Sequence, residues 1–185
     1  MTIARNDRRR PLLNLLAAYR PIDDADRAQC ARIVKFVDET PACFERSNAA
    51  GHVTGSAWVV DKDRARVLLT HHKKLGKWLQ LGGHADGDAD VPAVALREAQ
   101  EESGLRDLRL LSKNIFDLDV HPIPAHGADP AHFHYDIRFV FQANGPEPIV
   151  TGAESNELAW VDIKNISAYS QEPSLLRMVK KELPS

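Results

Sequence analysis

The run Arg-Glu-Ala-Gln-Glu-Glu-Ser-Gly-Leu at residues 97–105 constrains this chain more than any other segment. Glu98, Glu101 and Glu102 fall at i, i+3 and i+4 beside Arg97, spacings that bring helical side chains onto one surface. On a wheel of about 100° per residue, Glu98 and Glu102 lie about 40° apart. Val91, Val94, Ala95 and Ala99 fall on the same side, so the acids lean toward the protein body. Like charges so placed repel, and a buried carboxylate without a partner is costly. A divalent cation removes the conflict, and oxygen ligands in this number suit Mg²⁺ or Mn²⁺ better than Zn²⁺. A run of acids ordinarily reads as a solvated helix face. Here the Gly82-Gly83 pair precedes the helix, Gly104 stops it at once, and the acids occupy inward positions, a departure expected at functional sites.

Hydrophobic periodicity places the other elements around this helix. Residues 12–19 read as helix, and residues 23–38 as a better one, with Cys30, Ile33, Val34 and Val37 at i, i+3, i+4 and i+7. Residues 52–61 and 64–71 read as strands joined by a short Asp-Lys-Asp turn. Residues 78–81 form an extended piece entering a turn at Gly82-Gly83. Pro92 suits the start of the site helix, which runs to about Ser103. Residues 107–121 and 133–143 read as strands around a polar loop with Pro122, Pro124, Gly127 and Pro130. In the second, Phe133, Tyr135, Ile137, Phe139 and Phe141 share one face and His132, His134, Asp136 and Arg138 the other. A short strand at 157–162 and a helix near 173–182 close the chain. The order predicts an α/β protein.

At 185 residues, 43% of them apolar, the chain suits one domain (46–185) with an N-terminal helical extension (1–45). The extension reads as plain packing and leaves a homodimer open. A formal net charge of −2 gives no electrostatic case for nucleic acid or a membrane surface, and no stretch approaches transmembrane length. Cys30 and Cys43 show no metal spacing and no disulfide framework, which points to a reducing cytoplasm. Arg8-Arg9-Arg10 before an apolar run imitates a secretion leader. The run is short, Asn14 interrupts it, and no small-residue cleavage site follows.

The segment from Gly83 to Leu105 resembles the box of the Nudix family: Gly, five residues, Glu, seven residues, then Arg-Glu-aliphatic-any-Glu-Glu-any-Gly-aliphatic. Gly83, Arg97, Glu98, Ala99, Glu101, Glu102, Gly104 and Leu105 match, and the first Glu position is Ala89. Asp88 and Asp90 flank that departure and are candidate substitutes. The resemblance implies an α/β/α sandwich with a mixed sheet. It implies metal ligands at the Gly83 carbonyl, Glu98, Glu101 and Glu102, with Arg97 orienting the carboxylates. It implies a Mg²⁺- or Mn²⁺-assisted attack of water on phosphorus in a nucleoside diphosphate linked to another moiety, a small-molecule substrate. The general base would be Glu98, Glu101, or Glu154 in the loop before the last strand.

The histidines and tryptophans are less determined. His84 follows the glycine pair, while His132 and His134 share a strand face with Asp136. These three are candidates for substrate contact or an extra metal. His71, His72 and His126 read as structural. Trp78, with Trp58 and Trp160, could stack a base, although buried tryptophans are usually core. The alternative to a hydrolase is a non-catalytic Nudix-like domain that senses a nucleotide, favoured by Ala89 and opposed by the intact Arg97, Glu98, Glu101 and Glu102. A prenyl diphosphate isomerase would need a Cys and Glu pair that the sequence does not offer.

Overall fold

A computed structural model describes residues 7–73, 75–127, 130–145, 149–150 and 155–182. The elements in chain order are α1 (Arg10–Ala18), α2 (Asp24–Glu39), β1 (Gly51–Val60), β2 (Arg66–His72), β3 (Lys77–Leu79), β4 (Leu81–His84), α3 (Val91–Ser103), β5 (Leu108–Leu110), β6 (Asp117–Ile123), β7 (His132–Ala143), β8 (Ser155–Asp162), α4 (Ile166–Tyr169) and α5 (Pro173–Glu182). A 3₁₀ turn, Ile163–Asn165, leads into α4.

The mixed sheet is built on β1 and β7, which run parallel in register from Gly51↔Phe133 to Val60↔Gln142. Each end of this pair has its own neighbours. At the first end β4 pairs with β1 (Thr54↔His84 to Ala57↔Leu81), and β6 pairs with β7 (Asp117↔Arg138 to Ile123↔His132). At the far end β2 takes β1 and β5 takes β7, with β3 and β8 added to β2. The split leaves the first end for the site and the far end for an ordinary core.

Alternation along β1 and β7 sends side chains to opposite faces, and each face is covered. Val53, Ala57, Val59, Ile137, Phe139 and Phe141 pack with Val91, Val94, Ala95 and Ala99 of α3, and with Leu12, Leu16, Ile33 and Val37 of α1 and α2. On the other face Trp58, Val60, Val67, Leu69 and Val140 meet Ile163, Ile166, Leu175 and Met178. These three layers are the expected α/β/α sandwich. Helices α1 and α2 share the main core with α3 rather than sitting beside it. On α2, Ile33 and Val37 are fully buried, whereas Val34 stands at the exposed edge of the expected apolar stripe.

Helix α3 has defined ends. The Asp90 side chain accepts from Ala93 N–H, Pro92 lies in the first turn, and Gly104 closes the helix in the left-handed region (φ 75°). Two expectations change. Gly82-Gly83 is not a turn: both glycines lie within β4, opposite Ser56 and Gly55. The reason is closeness rather than chain reversal. A Cβ on Gly82 would lie 2.8 Å from Ser56 Cα, and one on Gly83 would overlap the Glu98 carboxylate. The expected strand 107–121 is two strands, because residues 112–115 leave β7 between the bonds of Leu111 N–H to Val140 O and of Phe116 N–H to Arg138 O. β5 pairs with one end of β7 and β6 with the other.

Candidate active site

Helix α3 crosses beneath the first end of β1, where Gly55 admits it: a Cβ there would stand 3.0 Å from Ala95 N and from Val91 O. This crossing lays the inner side of the helix against β4. Glu98 lies over Gly83. One turn later Glu102 Oε2 accepts from Gly82 N–H at 3.1 Å. Both acids are half-buried, as the helical wheel predicts. Arg97 joins the two elements: its guanidinium donates to the His84 carbonyl at 3.1 Å and pairs with Glu98 Oε1 at 3.1 Å. Glu101 is exposed, at a shallow cleft with Gln100, Gly104, Leu105 and Arg106.

Glu98 and Glu102 thus meet backbone that lacks Cβ atoms, in the way that oxygen donors must gather for a hard cation. Glu98, Glu102 and the neighbouring backbone of Gly83 are the groups that could hold a divalent cation, with Glu101 on the solvent side. Glu154, the other candidate base, lies outside the described residues.

Ala89 has a different environment from the box acids. It is half-buried against the main core, in the wall of a cavity of about 600 Å³ shared with Pro11, Leu12, Leu15 and Val91. Asp88 and Asp90 use their carboxylates locally: Asp88 Oδ1 accepts from Asp90 N–H at 2.9 Å, and Asp90 caps α3.

The sheet face opposite α3 carries a polar layer. Asp136 accepts from Thr54 Oγ1 (2.8 Å), Ser56 Oγ (2.7 Å) and Arg138 Nε (2.7 Å). Arg138, fully enclosed, also reaches Asp117 at 3.0 Å. Above this layer His84, His132 and His134 converge, together with His52 and His121. Ring centroids stand 5.0 Å apart for His52–His84 and 4.9 Å for His84–His134. Arg46 contacts His84 Nδ1 and pairs with Asp86 at 3.2 Å. Burial pushes the His52 imidazole down to about 4, helped by His84 and His132. Burial and the surrounding imidazoles push His134 down to about 2. Sequence reasoning missed His52; the available signal was its alternation with Thr54 and Ser56 on β1.

Trp78 packs elsewhere, 5.3 Å from the His71 ring and edge-on to Tyr169 at 5.6 Å. Trp58 is core, and Trp160 lies under Arg66 at 5.9 Å. His71 bonds to Asn156 at 3.2 Å, and His72 accepts from Leu75 N–H at 3.4 Å.

A curled mixed sheet between helices, with an acid-bearing helix laid on a glycine strand, defines the class. The NUDIX domain model matches residues 51–181, and the chain belongs to the Nudix family. The fold is shared with an Ap4A hydrolase from C. elegans in a binary complex (16% identity, 70% of this chain and 93% of that one, TM-score 0.57). It is shared with the dihydroneopterin triphosphate pyrophosphohydrolase of E. coli (18%, 70% and 92%, TM-score 0.55). The Nudix hydrolase RenU of M. smegmatis is similar too (22%, 73% and 89%, TM-score 0.53). Comparison with curated protein sequences gives no match.

Proposed function

We propose that this protein is a metal-dependent Nudix pyrophosphohydrolase that cleaves a diphosphate linkage in a nucleoside diphosphate joined to another moiety. The observation that carries this reading is the seating of Glu98 and Glu102 on the Gly82-Gly83 strand, braced by Arg97. Mg²⁺ or Mn²⁺ would be held by Glu98, Glu102 and the Gly83 carbonyl, with Glu101 as a further ligand. Once bound, it neutralises phosphate charge and acidifies the attacking water. The chain's own side chains do the rest. Arg97 fixes the Glu98 carboxylate through a charge-assisted bond. Glu98 or Glu101 takes the proton from water, with Glu154 the third candidate. His84, His132 and His134, clustered on the sheet face opposite α3, are the substrate-contact candidates. The fold neighbours named for Ap4A and for dihydroneopterin triphosphate support a polyphosphate-bearing small molecule.

A nucleotide-sensing domain without turnover is the second reading, and Ala89 is the residue that favours it. The test is product release from a panel of nucleoside diphosphate derivatives, nucleoside triphosphates and dinucleoside polyphosphates, with Mg²⁺, with Mn²⁺ and with chelator. Turnover abolished by chelator is the expected result. Nucleotide binding without turnover in either metal would overturn hydrolysis in favour of sensing.

A further inference from the structure

Three histidines meet on the sheet face opposite α3, and the register explains how. His52 of β1 stands opposite His134 of β7, and directly paired residues share a face. His132, two residues before His134, lies on that face as well. One ligand atom from each of His52, His132 and His134 lies within 4.8 Å of the others. None of these residues belongs to the Nudix box.

Two details make this more than a crowd of rings. His52 is 2% exposed, and neither of its ring nitrogens has a hydrogen-bond partner among the described residues. A buried polar group in that state is costly. His132 Nδ1 lies 2.8 Å from the Pro130 carbonyl. That carbonyl can only accept, so Nδ1 carries the proton and Nε2 keeps its lone pair. A backbone carbonyl on the far nitrogen is the usual brace for a metal-bound imidazole. His132 Nε2 and His134 Nε2 are 3.3 Å apart. Two nitrogens at about 2.0–2.1 Å from one tetrahedral ion stand roughly 3.3 Å apart.

We propose that His52, His132 and His134 form a second metal site that binds a transition-metal ion of the Zn²⁺ class, separate from the carboxylate site on α3. Imidazole nitrogens select Zn²⁺, Co²⁺ or Ni²⁺ over Mg²⁺. Three ligands leave a tetrahedral ion one position for water or an anionic oxygen of the substrate. Drawing the set from 4.8 Å to tetrahedral spacing takes about 1.5 Å of ring movement, within reach of side-chain torsions.

The test is Zn²⁺ titration of the chelator-stripped full chain in excess Mg²⁺, with bound zinc counted by elemental analysis. Co²⁺ substitution reports geometry through its visible spectrum. The expected result is one Zn²⁺ per chain, kept in the Glu98→Gln/Glu102→Gln double variant. In His134→Ala and His132→Asn, affinity should fall by more than the ~10–100-fold that losing an outer partner costs. His132→Asn keeps an amide donor for the Pro130 carbonyl, so it carries the test if His134→Ala does not fold. Unchanged zinc binding in His132→Asn, no zinc held by the wild type, or loss of zinc in the double Glu variant would each overturn the site.

Discussion

Gly82 and Gly83 are neighbours, yet an added methyl group meets different matter at each. At Gly83 it overlaps the end of the Glu98 side chain, which can swing aside. At Gly82 it meets Ser56 Oγ and the Cα and Cβ of a fully paired strand. Gly83→Ala should therefore lower metal-dependent turnover by at least about 100-fold with little change in the urea midpoint. Gly82→Ala should instead destabilise the fold by about 1–3 kcal/mol. If both variants unfold alike, Glu98 is not free to move as this contrast requires. Glu102→Gln separates charge from contact: the amide oxygen still accepts from Gly82 N–H, while the negative charge is gone. Turnover should fall by about 100-fold or more at unchanged stability, and full activity would remove Glu102 from the metal assignment. The acids were legible in the sequence because their relation is local, set by one helical turn. His52 was not, since its partners lie some eighty residues on and meet it only through the β1–β7 register.

The difference between helices and strands in legibility has the same origin. Helix α3 carries its own boundaries in Asp90, Pro92 and Gly104, and the helices near 12–19, 23–38 and 173–182 form close to where periodicity puts them. β4 carries no such signal. Two glycines ordinarily announce a turn, and only the approach of Ser56 and Glu98 makes them strand residues. Helix α1 shows how an element changes a motif. Its Pro11, Leu12 and Leu15 share a cavity with Ala89, so the box position that usually carries Glu faces apolar surface. Ala89→Glu should give no gain in turnover and change stability by no more than about 1 kcal/mol, since Arg8 and Lys113 line the same cavity and offset the cost of the carboxylate. A clear rise in activity would show that the carboxylate reaches the metal ligands instead. Leu16 is buried in the common core. Leu16→Ala should cost about 2–5 kcal/mol in urea unfolding, against a much smaller loss if α1 were a detachable extension.

At the scale of the molecule, the layers are clasped by buried charge. Asp117 receives Arg138 at 3.0 Å, Arg177 at 2.8 Å and Lys181 at 2.7 Å. Lys181, from α5, also reaches Asp26 of α2 at 2.9 Å and donates to the Tyr19 hydroxyl. One side chain of the last helix thereby ties the sheet to the helix layer on the far side of β6, a link that no local pattern announces. Removing Lys181 leaves Asp117 with Arg138 and Arg177 but leaves the buried Asp26 with no cation among the described residues, at about 3–5 kcal/mol, so Lys181→Met should be strongly destabilised. The pH dependence identifies the cause. The cations hold the Asp117 and Asp119 carboxyls below the ordinary carboxylate range against the opposing effect of burial, with His121 adding its bond to Asp119. A depressed folded value means the unfolded chain takes up protons first. The stabilisation is then complete above the unfolded value of about 4 and is lost as pH falls through it toward the folded one. Lys181→Met weakens that depression for Asp117. The stability difference between wild type and variant should therefore be constant at neutral pH and shrink below about pH 4. Measuring the difference, rather than the wild type alone, cancels the contribution of His52 and His134, which is common to both proteins. A difference that persists undiminished through the acid range would mean that Lys181 acts by packing its stem, not by its charge on Asp117.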